Sequence, residues 1–432
     1  MIVSATFRNV LSFDNEVKID FLASKSPVRP EQVSRGGRDS FPILKTSLIF
    51  GSNGSGKSNI CRCIHFMRCI ATGRFHSNYI RPFKLGKEIH DDSYIQMTIK
   101  SDNAFYEYSV SFNASSILLE TLYRINLRSR KLVFERRKNT REYNYLFGTI
   151  SGKVSNVQFL EFVSKGCPDD DSFVHEYVKR NAVGLSDIAK VYEWFENNLN
   201  VIFTDSKFRS MPVFLNKDKK FADNINKLLY LFNAGAEGIM MKPVDFDKLD
   251  ISPDKKNRVL NDLKKNPNMM ITMVDYDGLY FFEMDNNVIS CSKEVTIHKN
   301  ALGKDVQFDL FEESDGTKRL LDFLPMLIDL KENSSVYVID ELDRSMHTLL
   351  TRALLNYYFK LLTPEKDAQL ICTTHETYLL DDDKLRPDQF WFIRKNKGAS
   401  ALYTMGNQRL RKIVSNAYLN GNLELLKASE DG

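Results

Sequence analysis

The run Gly51-Ser52-Asn53-Gly54-Ser55-Gly56-Lys57-Ser58 constrains this chain more than any other stretch. It sits between an apolar segment, residues 44–50, and a helical apolar pattern over residues 57–69. Glycines let the backbone wrap closely enough that its N–H groups point at a phosphate, and the helix N-terminus behind them adds positive partial charge. In this pattern Lys57 reaches the β- and γ-phosphates and Ser58 ligates Mg²⁺. Gly51, Asn53, Gly54, Gly56 and Asn59 complete the candidate phosphate-binding set. Strand before and helix after are the context such a loop requires.

A second apolar strand, residues 336–339, ends in Asp340-Glu341. A carboxylate at the carboxyl end of a strand beside the phosphate loop can hold Mg²⁺ through water. The residue after it can orient or deprotonate an attacking water. Ser314-Asp315-Gly316 opens a predicted helix over 317–330, which makes a further anion-binding helix N-terminus. His375 closes a buried strand predicted over 369–373 and is placed to hydrogen-bond a γ-phosphate.

The α/β pattern occurs at both ends of the 432 residues, too long a chain for one ordinary core and suited to about two or three lobes. Residues 1–100 read as the N-terminal part of a nucleotide-binding head and 101–150 as its β-meander. A mostly helical insertion, with strands returning to the head, is expected over 151–300, and the C-terminal part of the head over 301–432. Hydrophobic residues at 43% and charged residues at 27% exclude disorder and disulfide-scaffold readings. No apolar run is long enough for a membrane helix, and residues 1–8 lack a secretory pattern. Six cysteines without a framework point to a reducing, cytoplasmic setting. Cys61, Cys63 and Cys69 fall on a predicted helix and are expected to be buried thiols rather than metal ligands. Asp381-Asp382-Asp383 is expected to be a capping or solvated turn.

Loop, Ser-x-Gly turn, acidic strand end and histidine, in this order, resemble the ABC-type ATPase head shared by SMC, RecF and overcoming-lysogenisation-defect ATPases. The wording Glu313-Ser314-Asp315-Gly316-Thr317, Val338-Ile339-Asp340-Glu341-Leu342-Asp343-Arg344-Ser345 and Cys372-Thr373-Thr374-His375-Glu376 is similar, more narrowly, to ATPase subunits of anti-phage abortive-infection systems of the RloA and AbiL type. The resemblance is specific over residues 1–100 and 308–405. It implies an α/β ABC-type P-loop head, a mixed β-sheet with helices, split by a β-meander and a helical insertion lobe. It implies ATP and Mg²⁺ as ligands, with Glu341 and His375 catalytic and Asp340 and Ser58 at the metal. It also implies a homodimer or higher oligomer in which Ser314 and Gly316 contact the γ-phosphate of ATP held by the other subunit. In this class a glutamine senses Mg²⁺, and Gln96 stands in a suitable strand. The overcoming-lysogenisation-defect proteins carry a C-terminal nuclease; too few residues follow His375 for one here. A separate effector protein is therefore the expected partner, and an ATP-driven sensor or scaffold in phage defence the expected function.

The alternative is a RecF-like DNA-binding ATPase of repair or maintenance. Net charge, +4 from 60 basic and 56 acidic residues, does not diagnose nucleic acid. Locally, Arg124, Arg128, Arg130, Lys131, Arg136, Arg137, Lys138 and Arg141 are offset within the run only by Glu135. That segment could bind DNA or RNA backbones, or be a charged strand edge. A self-contained toxin is the remaining reading, with few convergent acidic or histidine residues to support it.

Overall fold

The computed structural model describes residues 1–35, 40–74, 81–86, 92–140, 142–151, 154–208, 211–267, 269–275, 278–285 and 288–404. Two compact units result: residues 1–204, 333–342 and 359–432 form the first, and residues 205–332 and 343–358 the second.

The first unit opens with β1 (Ile2–Arg8), β2 (Val17–Asp20), β3 (Val33–Ser34), β4 (Ile43–Leu44), β5 (Thr46–Phe50) and α1 (Lys57–Ala71). The meander follows as β6 (Ser93–Ser101), β7 (Ala104–Phe112), β8 (Ile117–Ile125), β9 (Arg130–Lys138) and β10 (Tyr143–Phe147). Then come α2 (Val154–Lys165), α3 (Phe173–Lys179), α4 (Ser186–Glu193) and β11 (Leu199–Ile202). The second unit holds α5 (Met211–Lys217), α6 (Lys219–Phe232), β12 (Gly238–Val244), α7 (Pro253–Lys265), β13 (Ile271–Asp275), β14 (Gly278–Asp285), β15 (Val288–Lys299), β16 (Asp305–Asp309) and α8 (Asp315–Glu332). The chain ends its described course with β17 (Val336–Ile339), α9 (Thr348–Leu361), β18 (Gln369–Thr374), β19 (Phe390–Asn396) and β20 (Ala399–Thr404).

Two large sheets build the first unit, beside the short antiparallel pair β3–β4. One has the order β11-β17-β18-β5-β19-β20; its first five strands run parallel and β20 returns antiparallel. Every residue of β5 and β18 is buried, the continuous apolar signature of strands covered on both faces. The other sheet is antiparallel, β10-β9-β8-β7-β6-β1-β2, and pairs the two N-terminal strands with the meander. Helix α1 touches β6 of one sheet and β11 of the other. That explains why it buries Ile60, Ile64, Met67 and Ile70 on one stripe and also Cys61, Cys63 and Phe66. The two fully enclosed thiols are free, and burial pushes both well above the ordinary thiol range.

Helices α2–α4, placed by the sequence in the insertion, belong to the first unit. Leu160, Val163, Phe173, Tyr177 and Ile188 are buried in its core, together with Trp194 and Phe195. The second unit is not only helical: β12–β16 form a five-stranded antiparallel sheet. Within it β13 and β14 pair as a hairpin.

Candidate functional site

Parallel strands deliver their carboxyl ends to one edge, and that edge carries the phosphate loop, Asp340, Glu341 and His375. Thr374 of β18 pairs with Phe50 of β5, and Ile339 of β17 with Cys372. Gly51 and His375 therefore leave neighbouring strands at one level, and Asp340 leaves beside Thr373.

The loop 51–56 leaves β5 and enters α1 through Gly56, at φ +110°. A Cβ at Gly51 would lie 2.6 Å from the Ile393 carbonyl oxygen, and one at Gly56 would lie within 3 Å of the Ser12 and Ser400 hydroxyls. Gly54, at φ +73°, faces open space where a ligand could approach. Ser400 and Ser12 brace the loop. The Ser400 hydroxyl donates to the Ser55 carbonyl (2.6 Å) and accepts from the Ser12 hydroxyl (2.8 Å), and Asn59 Nδ2 donates to Ser12 Oγ at 2.8 Å. Lys57 is buried, its Nζ donating to the carbonyls of Gly51 (2.7 Å) and Ser52 (3.2 Å). The ammonium is thus already held over the mouth of the loop. Beside it an open pocket of about 510 Å³ is lined by Leu11, Ser12, Asn59, Arg62, Phe83 and Lys395 among others, apolar walls with cations at the rim.

Asp340 is 4% exposed, and its Oδ1 accepts from the Thr373 hydroxyl at 2.8 Å. The same hydroxyl accepts from the Glu341 N–H at 2.8 Å, and the Leu342 N–H donates to the Thr373 carbonyl at 3.0 Å. One threonine thus sets both carboxylate residues. Glu341 adopts φ +53°, a left-handed conformation costing a non-glycine residue about 1–2 kcal/mol, of the kind that persists where surrounding bonds enforce it. Ser58, at the start of α1, and Asp340 offer hydroxyl and carboxylate oxygens, the hard donors that suit Mg²⁺.

In the second unit Ser314 caps α8, its Oγ accepting from the Thr317 N–H at 3.1 Å. The Thr317 hydroxyl in turn donates to the Ala234 carbonyl at 3.0 Å. A Cβ at Gly316 would meet the Ser345 carbonyl oxygen at 2.9 Å, so only glycine lets the segment after Glu341 pass this close to the turn.

Arg136 does not face solvent: its side chain and that of Glu120 are both 0% exposed, 3.6 Å apart. Arg136 also donates to the carbonyls of Asp171 and Pro168 (both 2.6 Å) and lies over the Tyr143 ring. The rest of the basic run is largely neutralised by acids from other segments. Arg130 pairs with Glu107, Lys138 with Asp169 and Arg124 with Asp187, while Arg137 pairs with Glu135. Arg141 lies outside the described residues. Gln96 sits in β6 of the antiparallel sheet, accepting from the Tyr94 hydroxyl at 2.6 Å, and its strand is not one that carries the loop or Asp340.

Sequence reasoning missed Thr373, Ser12, Ser400 and the pocket beside Asn59. Thr373 lies within the Cys372-Thr373-Thr374-His375 wording, so a signal was present; Ser12 and Ser400 carried none, because their contacts cross most of the chain.

Residues 172–381 match the family model described as "AAA domain, putative AbiEii toxin, Type IV TA system". The matched segment contains Ser314, Gly316, Asp340, Glu341 and His375, and the phosphate loop lies outside it. No curated protein matches the chain. Among solved structures, the SMC head domain from Thermotoga maritima is 11% identical at a TM-score of 0.40, covering 94% of this chain and 99% of that one. An SMC head bound to the C-terminal winged-helix domain of ScpA is 12% identical at a TM-score of 0.40, covering 95% and 99%. The phosphate loop, the acidic strand end and the AAA-domain match support a nucleotide-binding ATPase domain. No helix among the described residues is long and apolar enough to cross a membrane.

Proposed function

We propose that this chain binds and hydrolyses ATP, closes into a dimer on the bound nucleotide, and serves as the sensor or scaffold subunit that controls a separate effector protein in cytoplasmic anti-phage defence. The observation that carries the reading is the single Thr373 hydroxyl that holds Asp340 and Glu341 at the sheet edge where the phosphate loop opens.

Lys57 exchanges its two loop carbonyls for phosphate oxygens when nucleotide enters, while the N–H groups around Gly54 and Gly56 close on the same anion. Asn53 and Asn59 line the loop and the pocket beside it, which has the apolar walls suited to a nucleobase. Ser58 and Asp340, with Gln96 as a further candidate, would hold Mg²⁺, which neutralises charge on the β- and γ-phosphates when bound. Glu341 accepts the proton of the attacking water, or orients that water, from a backbone position fixed through its own N–H. His375, leaving β18 at the level of Gly51, hydrogen-bonds the γ-phosphate. Ser314 and Gly316 complete the site of a second copy, with the N-terminus of α8 aimed at its γ-phosphate.

The description of the matched family, a toxin of a toxin–antitoxin system, supports defence over DNA maintenance. The pairing in the basic segment supports the same choice, since Arg130, Arg136 and Arg124 are spent on Glu107, Glu120 and Asp187. The test is to purify tagged Glu341→Gln from its native operon with ATP and measure the native mass. A second protein on a dimer is the expected result. A bare homodimer that retains DNA would replace this reading with the RecF-like one.

A further inference from the structure

We infer that Glu313 is a positioning residue for the Ser314–Gly316 turn, held by a two-donor clamp on β15. The inference rests on the proposed reading that this turn acts on ATP bound by a second copy.

Ser314 and Asp315 are exposed, yet the residues on either side are buried: Glu313 is 8% and Thr317 5% exposed. The turn is therefore presented to solvent from two interior anchors. Thr317 is tied to the Ala234 carbonyl. Glu313 is tied through a single oxygen, Oε1, which accepts from the Thr296 hydroxyl and meets His298 Nε2 at 2.5 Å. Thr296 and His298 stand two apart on β15, so both project from one face of the strand. The β15–β16 pairing sets Thr296 opposite Phe308 and His298 opposite Val306, and the Phe308 ring packs 4.4 Å from the His298 ring. The clamp thus stands on a paired strand and joins the turn one residue before Ser314.

Burying a carboxylate costs several kcal/mol unless good partners offset it, and an apolar residue would fill such a place more cheaply. What the carboxylate adds is direction: two donors converging on one oxygen fix where Glu313, and with it Ser314, sits. A turn displaced by about 1 Å from the reacting phosphate loses on the order of a hundredfold in rate. Nucleotide affinity at the phosphate loop, made by other residues, should not follow.

The test compares full-length Glu313→Ala, Glu313→Gln and Thr296→Val with the parent, measuring MgATP affinity and phosphate release. The expected result is kcat reduced roughly ten- to a hundredfold in Glu313→Ala. Glu313→Gln, which keeps a carbonyl acceptor, and Thr296→Val, which keeps the shape, should lose less, and MgATP affinity should stay within about twofold in all three. Mixing Glu313→Ala with Lys57→Ala should then restore turnover, because one composite site regains an intact loop and an intact turn. The inference fails if Glu313→Ala and Thr296→Val turn over at the parent rate, or if Glu313→Gln loses affinity and rate together. It also fails if Ser314→Ala is complemented by Lys57→Ala while Glu313→Ala is not. If Ser314→Ala is itself not complemented, the two-copy reading of the turn falls, and this inference with it.

Discussion

Replacing Thr373 by valine removes one hydroxyl and leaves the side chain almost the same shape. Two bonds disappear. The bond to Asp340 Oδ1 is charge-assisted, worth about 1.5–3 kcal/mol, and the Glu341 N–H would lose its acceptor at a cost of about 1–3 kcal/mol. Water reaching the strand end recovers part of this, so a net loss of about 2–4 kcal/mol from the first unit is expected. Both tryptophans of the chain, Trp194 and Trp391, are buried in that unit, which makes their fluorescence in a urea titration a direct report on its unfolding. Freed from Thr373, Glu341 has less to hold it at φ +53°, and relaxation of that backbone moves its carboxylate. Turnover should fall on the order of a hundredfold for a displacement of about 1 Å, with MgATP affinity little changed. Thr373→Ser keeps the hydroxyl and loses a methyl, so it should cost about 1 kcal/mol of stability and little rate. A Thr373→Val chain that unfolds at the parent's urea midpoint and hydrolyses ATP at the parent's rate would refute the relay.

Gly56→Ala forces a side chain into φ +110° and against Ser400 and Ser12, so MgATP affinity measured by calorimetry should fall at least tenfold while the rest of the fold unfolds cooperatively as before. Arg136→Ala leaves Glu120 buried without its cation and should destabilise the first unit by about 3–5 kcal/mol in the same urea titration, whereas a DNA-site residue there would leave stability intact. Glu294 is enclosed in the second unit, where burial, aided by Asp322, raises its carboxyl from 4.5 to about 7. A raised carboxyl favours the fold below its unfolded value and loses that contribution as pH climbs through 7. Glu294→Gln should therefore stabilise the chain by up to about 3 kcal/mol at pH 8 and by almost nothing at pH 4.5, read as the difference in unfolding free energy from the parent at each pH.

The phosphate loop was legible because its chemistry is contiguous: eight successive residues, flanked by the right strand and helix, dictate the backbone path. Asp340 and Glu341 were legible for a related reason, an apolar strand that stops at two carboxylates. Ser12 and Ser400 were not, and Thr373 stood in a recognisable run without its partners, since parallel pairing of β18 with β17 and the return of β20 create these contacts across long stretches of chain. The partners of the basic run were hidden for the same reason. Counted along the chain it had one acid, but pairing of β7 and β8 with their neighbours brings in Glu107 and Glu120, the turn after α2 adds Asp169 and the start of α4 adds Asp187. The limits of the insertion were misjudged where α2–α4 turn apolar faces to the first core, because helical periodicity reports that a helix has an apolar face and not which core covers it.

An ATPase that closes on its nucleotide changes mass when it binds it, so the decisive quantity is the mass of purified Glu341→Gln in solution with and without MgATP. One chain per particle is expected without nucleotide and two chains with two ATP when MgATP is present, reverting to single chains in Lys57→Ala. Particles of one chain carrying ATP, at concentrations well above the ATP dissociation constant, would contradict it.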